Sequence, residues 1–237
     1  MVPVADLHTH TIASGHAYCT IIEMARAAGG KGLRAIAITD HGPAMPHSAD
    51  PFYFANMITL PDTIEGVRVI KGVEANIIDY DGRLDLPERY LKRLELVIAS
   101  LHIECLTPGS VEENTRAAVK ALENPYVRII AHPGNPQFPL DHEALVRAAA
   151  ELGKCIEINN ASFVRTRPGS KENCARIARL CKQYGALVVM NSDAHFADHI
   201  GDLEMSIRTV QEAGVPEENV VNLSMERVTS ILRHPTR

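Results

Sequence analysis

The chain has 237 residues, 46% apolar and 22% charged, ordinary values for a globular protein long enough to bury a sizeable core. Its net charge of −5, with no run of Lys or Arg longer than two residues, excludes the concentrated basic face on which tight binding to long nucleic acid rests. A small phosphorylated substrate stays compatible with that balance, because a metal cluster can supply positive charge locally. The five cysteines, odd in number and without CxxC spacing, argue against a disulfide framework or a thiolate zinc site and for reduced thiols.

The opening MVPVADLHTHT has no basic segment followed by an apolar one, so no signal peptide is expected. No apolar stretch reaches the length that spans a bilayer. A cytoplasmic protein without membrane contact is the expectation. The first β-branched apolar run, Val4–Leu7, leads into His8-Thr9-His10, with His16 shortly after. A helical pattern over Thr20–Ala28 places Ile21, Met24, Ala25 and Ala28 on one face. Ala35–Thr39 leads into Asp40-His41, and Pro43–Pro61 is the longest irregular insert, a candidate flap carrying Phe52, Tyr53 and Phe54. Val69–Val73 ends at Glu74; a helical pattern over Pro87–Glu95 precedes Leu96–Ser100, which leads to His102.

A helix over Val111–Leu122 opens with the capping-box pair Ser110 and Glu113. Val127–Ala131 runs into His132-Pro133-Gly134-Asn135, and a helix over Leu140–Leu152 follows. Cys155–Ile158 ends in Asn159-Asn160; the next helix, Ser170–Tyr184, has a partial capping box at Ser170 and Asn173 and carries Cys174 and Cys181 one heptad apart, both expected in the core. Leu187–Met190 leads into Ser192-Asp193-Ala194-His195, a helix covers Leu203–Ala213, and an eighth, weaker apolar run is Val220–Leu223. Gly153, Gly185 and Gly214 stand where helix C-caps belong.

Runs apolar on both faces read as buried parallel strands. Their alternation with helices predicts an α/β fold, a βα barrel or a doubly wound sheet. No GxGxxG or GxxxxGK[ST] follows a strand, so a nucleotide-binding doubly wound sheet lacks its best marker. The length suits a single barrel domain over residues 1–237. In such a barrel the C-terminal strand ends converge on one face, which crowds His8, His10, His16, His41, Glu74, His102, His132, Asp193 and His195 together. Without cations that pocket would bury several unpartnered polar groups; imidazole and carboxylate are ligands of divalent metals. His8 and His10, two apart on an extended segment, point the same way, as do Asp193 and His195. Asp6 and Asp40 either orient imidazoles or cap strand ends. His47, His142, His199 and His234 need no functional role, solvent exposure explaining His142 and His234; for His199, a loop residue near Asp193, a ligand-orienting or substrate role is the alternative.

Taken together, DLHTHT at Asp6–Thr11, ITDHG at Ile38–Gly42, GVEAN at Gly72–Asn76, the lone His102, AHPGNP at Ala131–Pro136 and NSDAH at Asn191–His195 resemble the PHP (polymerase and histidinol phosphatase) family. The spacing and the segment EINNASF at Glu157–Phe163 resemble its YcdX-type branch. The resemblance implies a distorted (β/α)7 TIM-like barrel with a trinuclear metal site at the C-terminal strand ends. By motif position, His8, His10, Glu74 and Asp193 would hold one metal. Glu74 would bridge to a second held with His102 and His132, and His16, His41 and His195 would hold the third. Three divalent ions are implied, zinc being usual, with manganese or iron also suited to an all-N/O set.

The reaction this points to is hydrolysis of a phosphate monoester by a hydroxide bridging two metals, with Glu74 and Asp193 as catalytic carboxylates and the leaving alkoxide protonated by Asp193 or by a metal-held water. Arg165, Arg167, Asn135 and Asn160 are candidate substrate contacts; Arg167-Pro168-Gly169-Ser170 runs into a helix N-terminus, which favours anions, unless it is only a solvated loop. A small phosphorylated substrate is the expected partner, and homo-oligomerisation is left open. The rival readings are a histidinol-phosphate phosphatase, a nuclease or nucleotide phosphatase, and a non-catalytic PHP module.

Overall fold

The computed structural model describes residues 1–233; His234 lies outside them. Seven parallel strands follow the order β1 (Ala5–Thr9), β2 (Ala35–Ile38), β4 (Val67–Asn76), β5 (Leu96–Ser100), β6 (Val127–Ile130), β7 (Cys155–Asn159) and β8 (Leu187–Asn191), with the short β3 (Thr63–Ile64) antiparallel on β4. The sheet curls into a nearly closed barrel flanked by helices, the distorted seven-stranded TIM-like arrangement. The seven parallel strands are apolar along most of both faces because both faces are largely covered. Leu7, Ile70, Leu96, Ile98, Ile129 and Val189 fill the interior, while Ile36, Ile38, Val73, Val97 and Ile158 pack outward beneath the helices.

The flanking helices are α1 (Ile21–Gly30), α4 (Val111–Glu123), α5 (His142–Leu152), α7 (Ser170–Tyr184) and α8 (Glu204–Ala213), with the short α2 (Pro51–Asn56), α3 (Glu88–Leu91) and α6 (Ala161–Val164) in the loops. Reciprocal capping boxes start α1 (Thr20 with Glu23) and α4 (Ser110 with Glu113). Gly153, Gly185 and Gly214 end their helices in the left-handed conformation. Cys174 and Cys181 are both buried. No helix among the described residues is long and apolar enough to cross a membrane.

Five expectations change. The run Val220–Leu223 forms a 3-10 turn after a single parallel bridge between Val188 and Val220, not an eighth strand. The insert Pro43–Pro61 is partly ordered by α2, whose Phe54 is buried in the core. Ser170 does not cap α7: its hydroxyl donates to the Arg167 carbonyl at 2.7 Å, and Asn173 donates to the Gly134 carbonyl at 3.0 Å. His142 is buried rather than solvated. The pattern Pro87–Glu95 yields only the single turn α3. A further helix, α9 (Met225–Ile231), has no counterpart in the sequence expectations; its Val228 and Ile231 complete the inner apolar cluster.

The barrel seam shows why no eighth strand is needed. Above, the Asn191 side chain accepts the Leu7 N–H at 2.9 Å, and Thr9 bridges Ala194. Below, buried Asn222 accepts the Met190 N–H at 3.3 Å and donates to the carbonyls of Ala5 (2.9 Å) and Met190 (2.5 Å). Two amide side chains thus satisfy strand-edge groups that a ladder would otherwise pair. Replacing Asn222 by alanine is expected to cost about 2–3 kcal/mol of unfolding free energy, because buried backbone groups lose partners; a denaturant midpoint unchanged from wild type would contradict this role.

Candidate metal centre

Strand parity places the site. On β4, Ile70, Gly72 and Glu74 face inward; a Cβ on Gly72 would stand 2.9 Å from both the Leu96 carbonyl oxygen and the Thr39 methyl, so only glycine fits beside that carboxylate. Cys155, Glu157 and Asn159 share the inward face of β7, and Ile98, Ser100 and His102 that of β5 and its extension. Parity breaks twice. Leu7 lines the interior, and so does the adjacent His8, because the pairing of β1 with β2 slips between Asp6 and Thr9. His132 follows the inward Ala131 with φ +33°, and Asp193 sits at φ +55°. Both are left-handed conformations that cost a non-glycine residue energy and cluster at functional sites.

The Glu74 carboxylate is the hub. Its Oε2 lies 2.8 Å from His41 Nδ1, 3.2 Å from His8 Nε2 and 3.4 Å from His10 Nε2. Its Oε1 lies 2.9 Å from His132 Nε2 and 3.5 Å from His102 Nε2. Asp193 Oδ1 approaches His10 Nε2 at 3.2 Å and His8 Nε2 at 3.6 Å, while its Oδ2 takes Arg167 Nη1 at 3.0 Å. The rings of His10 and His195 stack at 4.2 Å, and the exposed His16 ring lies 5.0 Å from both His41 and His195. All nine predicted ligand residues therefore meet at one mouth. Three sets have ligand atoms within 4.8 Å of one another: His8, His10 and Asp193; His41, Glu74 and His102; and His10, His41 and His195.

Neighbours fix which imidazole nitrogen faces the centre. His8 Nδ1 donates to Glu157 Oε1 at 2.8 Å, His102 Nδ1 to Asn76 Oδ1 at 2.7 Å, and His195 Nδ1 to the Asp193 carbonyl at 3.0 Å. Ser14 donates to Asp40 Oδ1 at 2.7 Å, so its oxygen accepts from His10 Nδ1 at 3.0 Å. Each of these four rings turns its Nε2 inward. Asp40 thus orients an imidazole through Ser14, and is itself held by Thr11 and the Tyr53 hydroxyl at 2.7 Å. Asp6 instead holds the Asp193 loop through Ser192 and Gly201.

The electrostatics call for positive charge. Burial opposes ionisation of Glu74 and Asp193, yet the surrounding imidazoles, and Arg167 beside Asp193, hold both carboxyls well below their usual range. Burial disfavours a charged His8, but Glu74, Glu157 and Asp193 together raise its pKa well above the ordinary value. Burial and neighbouring cations lower the pKa of His10 and His132, and burial outweighs the opposing Glu74 charge at His102, which favours the neutral, ligating form of all three. His8 Nε2, His10 Nε2, His41 Nδ1 and Glu74 Oε2 are buried without a hydrogen-bond partner. Their short N···O approaches lack hydrogen-bond geometry, as expected of lone pairs converging on a common point. The donor set therefore fits divalent cations.

The PHP domain profile matches residues 6–208. The chain belongs to the PHP domain family. It is 53% identical over 231 residues to a "probable phosphatase" of Caldanaerobacter subterraneus subsp. tengcongensis, covering 97% of this chain and 91% of the relative. It is 52% identical to another of that description from Acetivibrio thermocellus, covering 97% and 95%. Among solved structures it resembles histidinol phosphate phosphatase of Lactococcus lactis, solved with zinc, L-histidinol and phosphate, at TM-score 0.63 and 16% identity over 91% of this chain and 95% of that one, a likeness of fold.

In this PHP domain the four predicted substrate contacts separate. Arg167, its side chain 12% exposed, and Arg165 line a 550 Å³ cleft above the histidine cluster, together with His16, His195 and Glu104. Arg165 reaches Asp202 at 3.5 Å. Asn135 and Asn160 are not part of this cleft lining. Asn135 accepts the Gln137 N–H at 3.1 Å within its own loop. The Asn160 amide oxygen accepts the N–H groups of Met205 (3.0 Å) and Ser206 (3.1 Å) at the start of α8. Both asparagines serve backbone donors, a pairing that sequence cannot show. Glu157 is the residue the sequence reading missed: besides His8 it takes the His132 N–H at 2.7 Å and the side chains of Asn159 and Asn191. Its signal was a charged residue inside an otherwise apolar strand.

Proposed function

We propose that this protein is a metal-dependent phosphatase that hydrolyses a small phosphate monoester at a site for three divalent cations, zinc being the best match to the donor set. The observation that carries the reading is the convergence of seven histidines, Glu74 and Asp193 at the floor of an open cleft that also holds an arginine. The relatives described as probable phosphatases support it, as does the fold likeness to histidinol phosphate phosphatase.

His8, His10, Glu74 and Asp193 would hold one cation, Glu74, His102 and His132 a second, and His16, His41 and His195 a third. Bound there, divalent cations would supply positive charge to the phosphoryl oxygens and would acidify water, whose pKa falls from 15.7 towards about 7 on coordination. Arg167 anchors Asp193 through Nη1 and presents its remaining N–H groups to a phosphoryl oxygen in the cleft. In the reaction a water oxygen–phosphorus bond forms as the phosphorus–alkoxide bond breaks, and the alkoxide takes up a proton. Glu157, Ser14 and Asn76 keep the ring nitrogens aimed while charge develops, so little reorganisation is required.

Metal analysis of purified protein is expected to give more than one equivalent of transition metal per chain. Turnover of an aryl phosphate is expected to vanish in a folded His10→Ala variant. A preparation that is metal-loaded, folded and inert towards phosphate esters would leave only a non-catalytic module.

A further inference from the structure

We infer that Asp85 is a positioning residue for the metal centre: its carboxylate fixes the Asn76 amide, and the amide fixes which nitrogen of His102 faces the cations. This rests on the reading of the site as a metal centre. It adds a residue that belongs neither to the nine ligand positions nor to the cleft lining. Asn76 closes β4, and the chain then turns at Asp79–Gly82, where the Gly82 N–H donates to the Asp79 carbonyl at 3.2 Å. It folds back so that Ile77 bridges Leu84 and the Asp85 N–H donates to the Asn76 carbonyl at 3.0 Å. The carboxylate answers in kind. Its Oδ1 accepts the Asn76 N–H at 3.0 Å, and its Oδ2 accepts Asn76 Nδ2 at 2.6 Å. Oδ2 also accepts the Ala44 N–H at 2.9 Å, in the loop that leaves His41. A Cβ on Gly42, beside His41, would collide with both carboxylate oxygens, so glycine is what lets Asp85 reach the amide. These bonds favour the ionised form, against burial, which raises the Asp85 pKa overall.

The consequence runs through the amide. An asparagine side chain has one donor end and one acceptor end. Two acceptors hold Nδ2 on the side away from His102: Asp85 Oδ2 and the Gly42 carbonyl, the latter at 3.1 Å. Oδ1 must then face His102. It lies 2.7 Å from His102 Nδ1, which donates and so carries the proton. The competing partner is the Ser100 hydroxyl, 3.4 Å from the same nitrogen. A hydroxyl donates as readily as it accepts, so once the amide is loosened the proton can reside on Nε2, where it would block a cation. Losing an outer partner of this kind weakens metal binding by roughly 10–100-fold.

The test uses Asp85→Ala, Asp85→Asn and, as a control for lost stability, Asn222→Ala at the barrel seam. Nitrogen-15 NMR of the full chain, with zinc and after chelation, reads which ring nitrogen of His102 is protonated; the signal is assigned by its absence from His102→Gln. Competition with a chromogenic chelator reads zinc affinity. Wild type and Asn222→Ala are expected to show the Nδ1–H form and equal affinity. Asp85→Ala should populate the Nε2–H form after chelation and bind zinc roughly 10–100-fold more weakly. Asp85→Asn keeps one acceptor oxygen for three donors and should fall between the two. If Asp85→Ala does not fold, the asparagine variant decides on the same two readouts. An unchanged tautomer or an unchanged zinc affinity in the folded Asp85 variant overturns the proposal, whatever stability is lost. Equal changes in Asn222→Ala mark general destabilisation and overturn it too. Neither readout needs turnover, so a protein that binds zinc and is inert towards esters defeats the phosphatase reading alone. A wild type that binds no zinc defeats both.

Discussion

Glu74→Ala is expected to abolish the metal centre: turnover of a phosphate ester should fall by roughly 10³-fold, and retained metal should drop by more than one equivalent per chain. One buried carboxylate faces the nitrogens of His8, His10, His41, His102 and His132 at 2.8–3.5 Å. Removing the charged member of such a buried set costs about 3–5 kcal/mol of folding stability, and turnover falls with the cations that the carboxylate would hold. Thermal melts supply a readout independent of activity. A chelator should lower the wild-type midpoint, because cations that bind only the folded state stabilise it. In the variant that shift should shrink or disappear. Equal metal content in the two proteins would contradict the role given to Glu74.

Glu157→Ala should produce the second largest effect, although the EINNASF segment that begins at Glu157 gave the residue no role. The buried carboxylate takes hydrogen bonds from His8 Nδ1 (2.8 Å), the His132 backbone (2.7 Å), Asn191 (2.9 Å) and Asn159 (3.1 Å). Without it four buried donors lose an acceptor, two of them on residues that face the centre. We expect a loss of about 3–5 kcal/mol in unfolding free energy and metal affinity weakened by roughly 10–100-fold. Glu157→Gln keeps the shape and one acceptor oxygen but turns an amide N–H₂ towards donors, so it should recover part of the stability and less of the affinity. Competition with a chromogenic chelator separates the two effects. An alanine variant equal to wild type in both would remove Glu157 from the support of the site.

The seven main strands were legible because each is a short β-branched run apolar on both faces, a pattern that survives without knowledge of its neighbours. The outer elements were less legible. The turn at Val220–Leu223 has a strand's composition, but the gap it fills is closed by Asn222 side-chain bonds to β1 and β8. α9 is only seven residues long, about two helical turns, too short for periodicity to register. His142 looked solvated at a helix start; packing, not local sequence, buried it.

By itself the sequence determined the class of the fold and the chemistry of the site: apolar runs that must be buried, each followed by an imidazole, carboxylate or amide that must then meet the others at one barrel face. Only the tertiary structure decided how those groups are aimed. Strand parity alone would put Leu7 and His8 on opposite faces; the slip against β2 brings both inward, and the left-handed turn at His132 does the same after β6. Likewise Asp40 reaches His10 through Ser14, Glu157 holds His8, and Asn160 is claimed by α8 rather than by the cleft. Register, parity breaks and hydrogen-bond partners depend on which strand lies alongside, and a one-dimensional pattern carries no record of its neighbour.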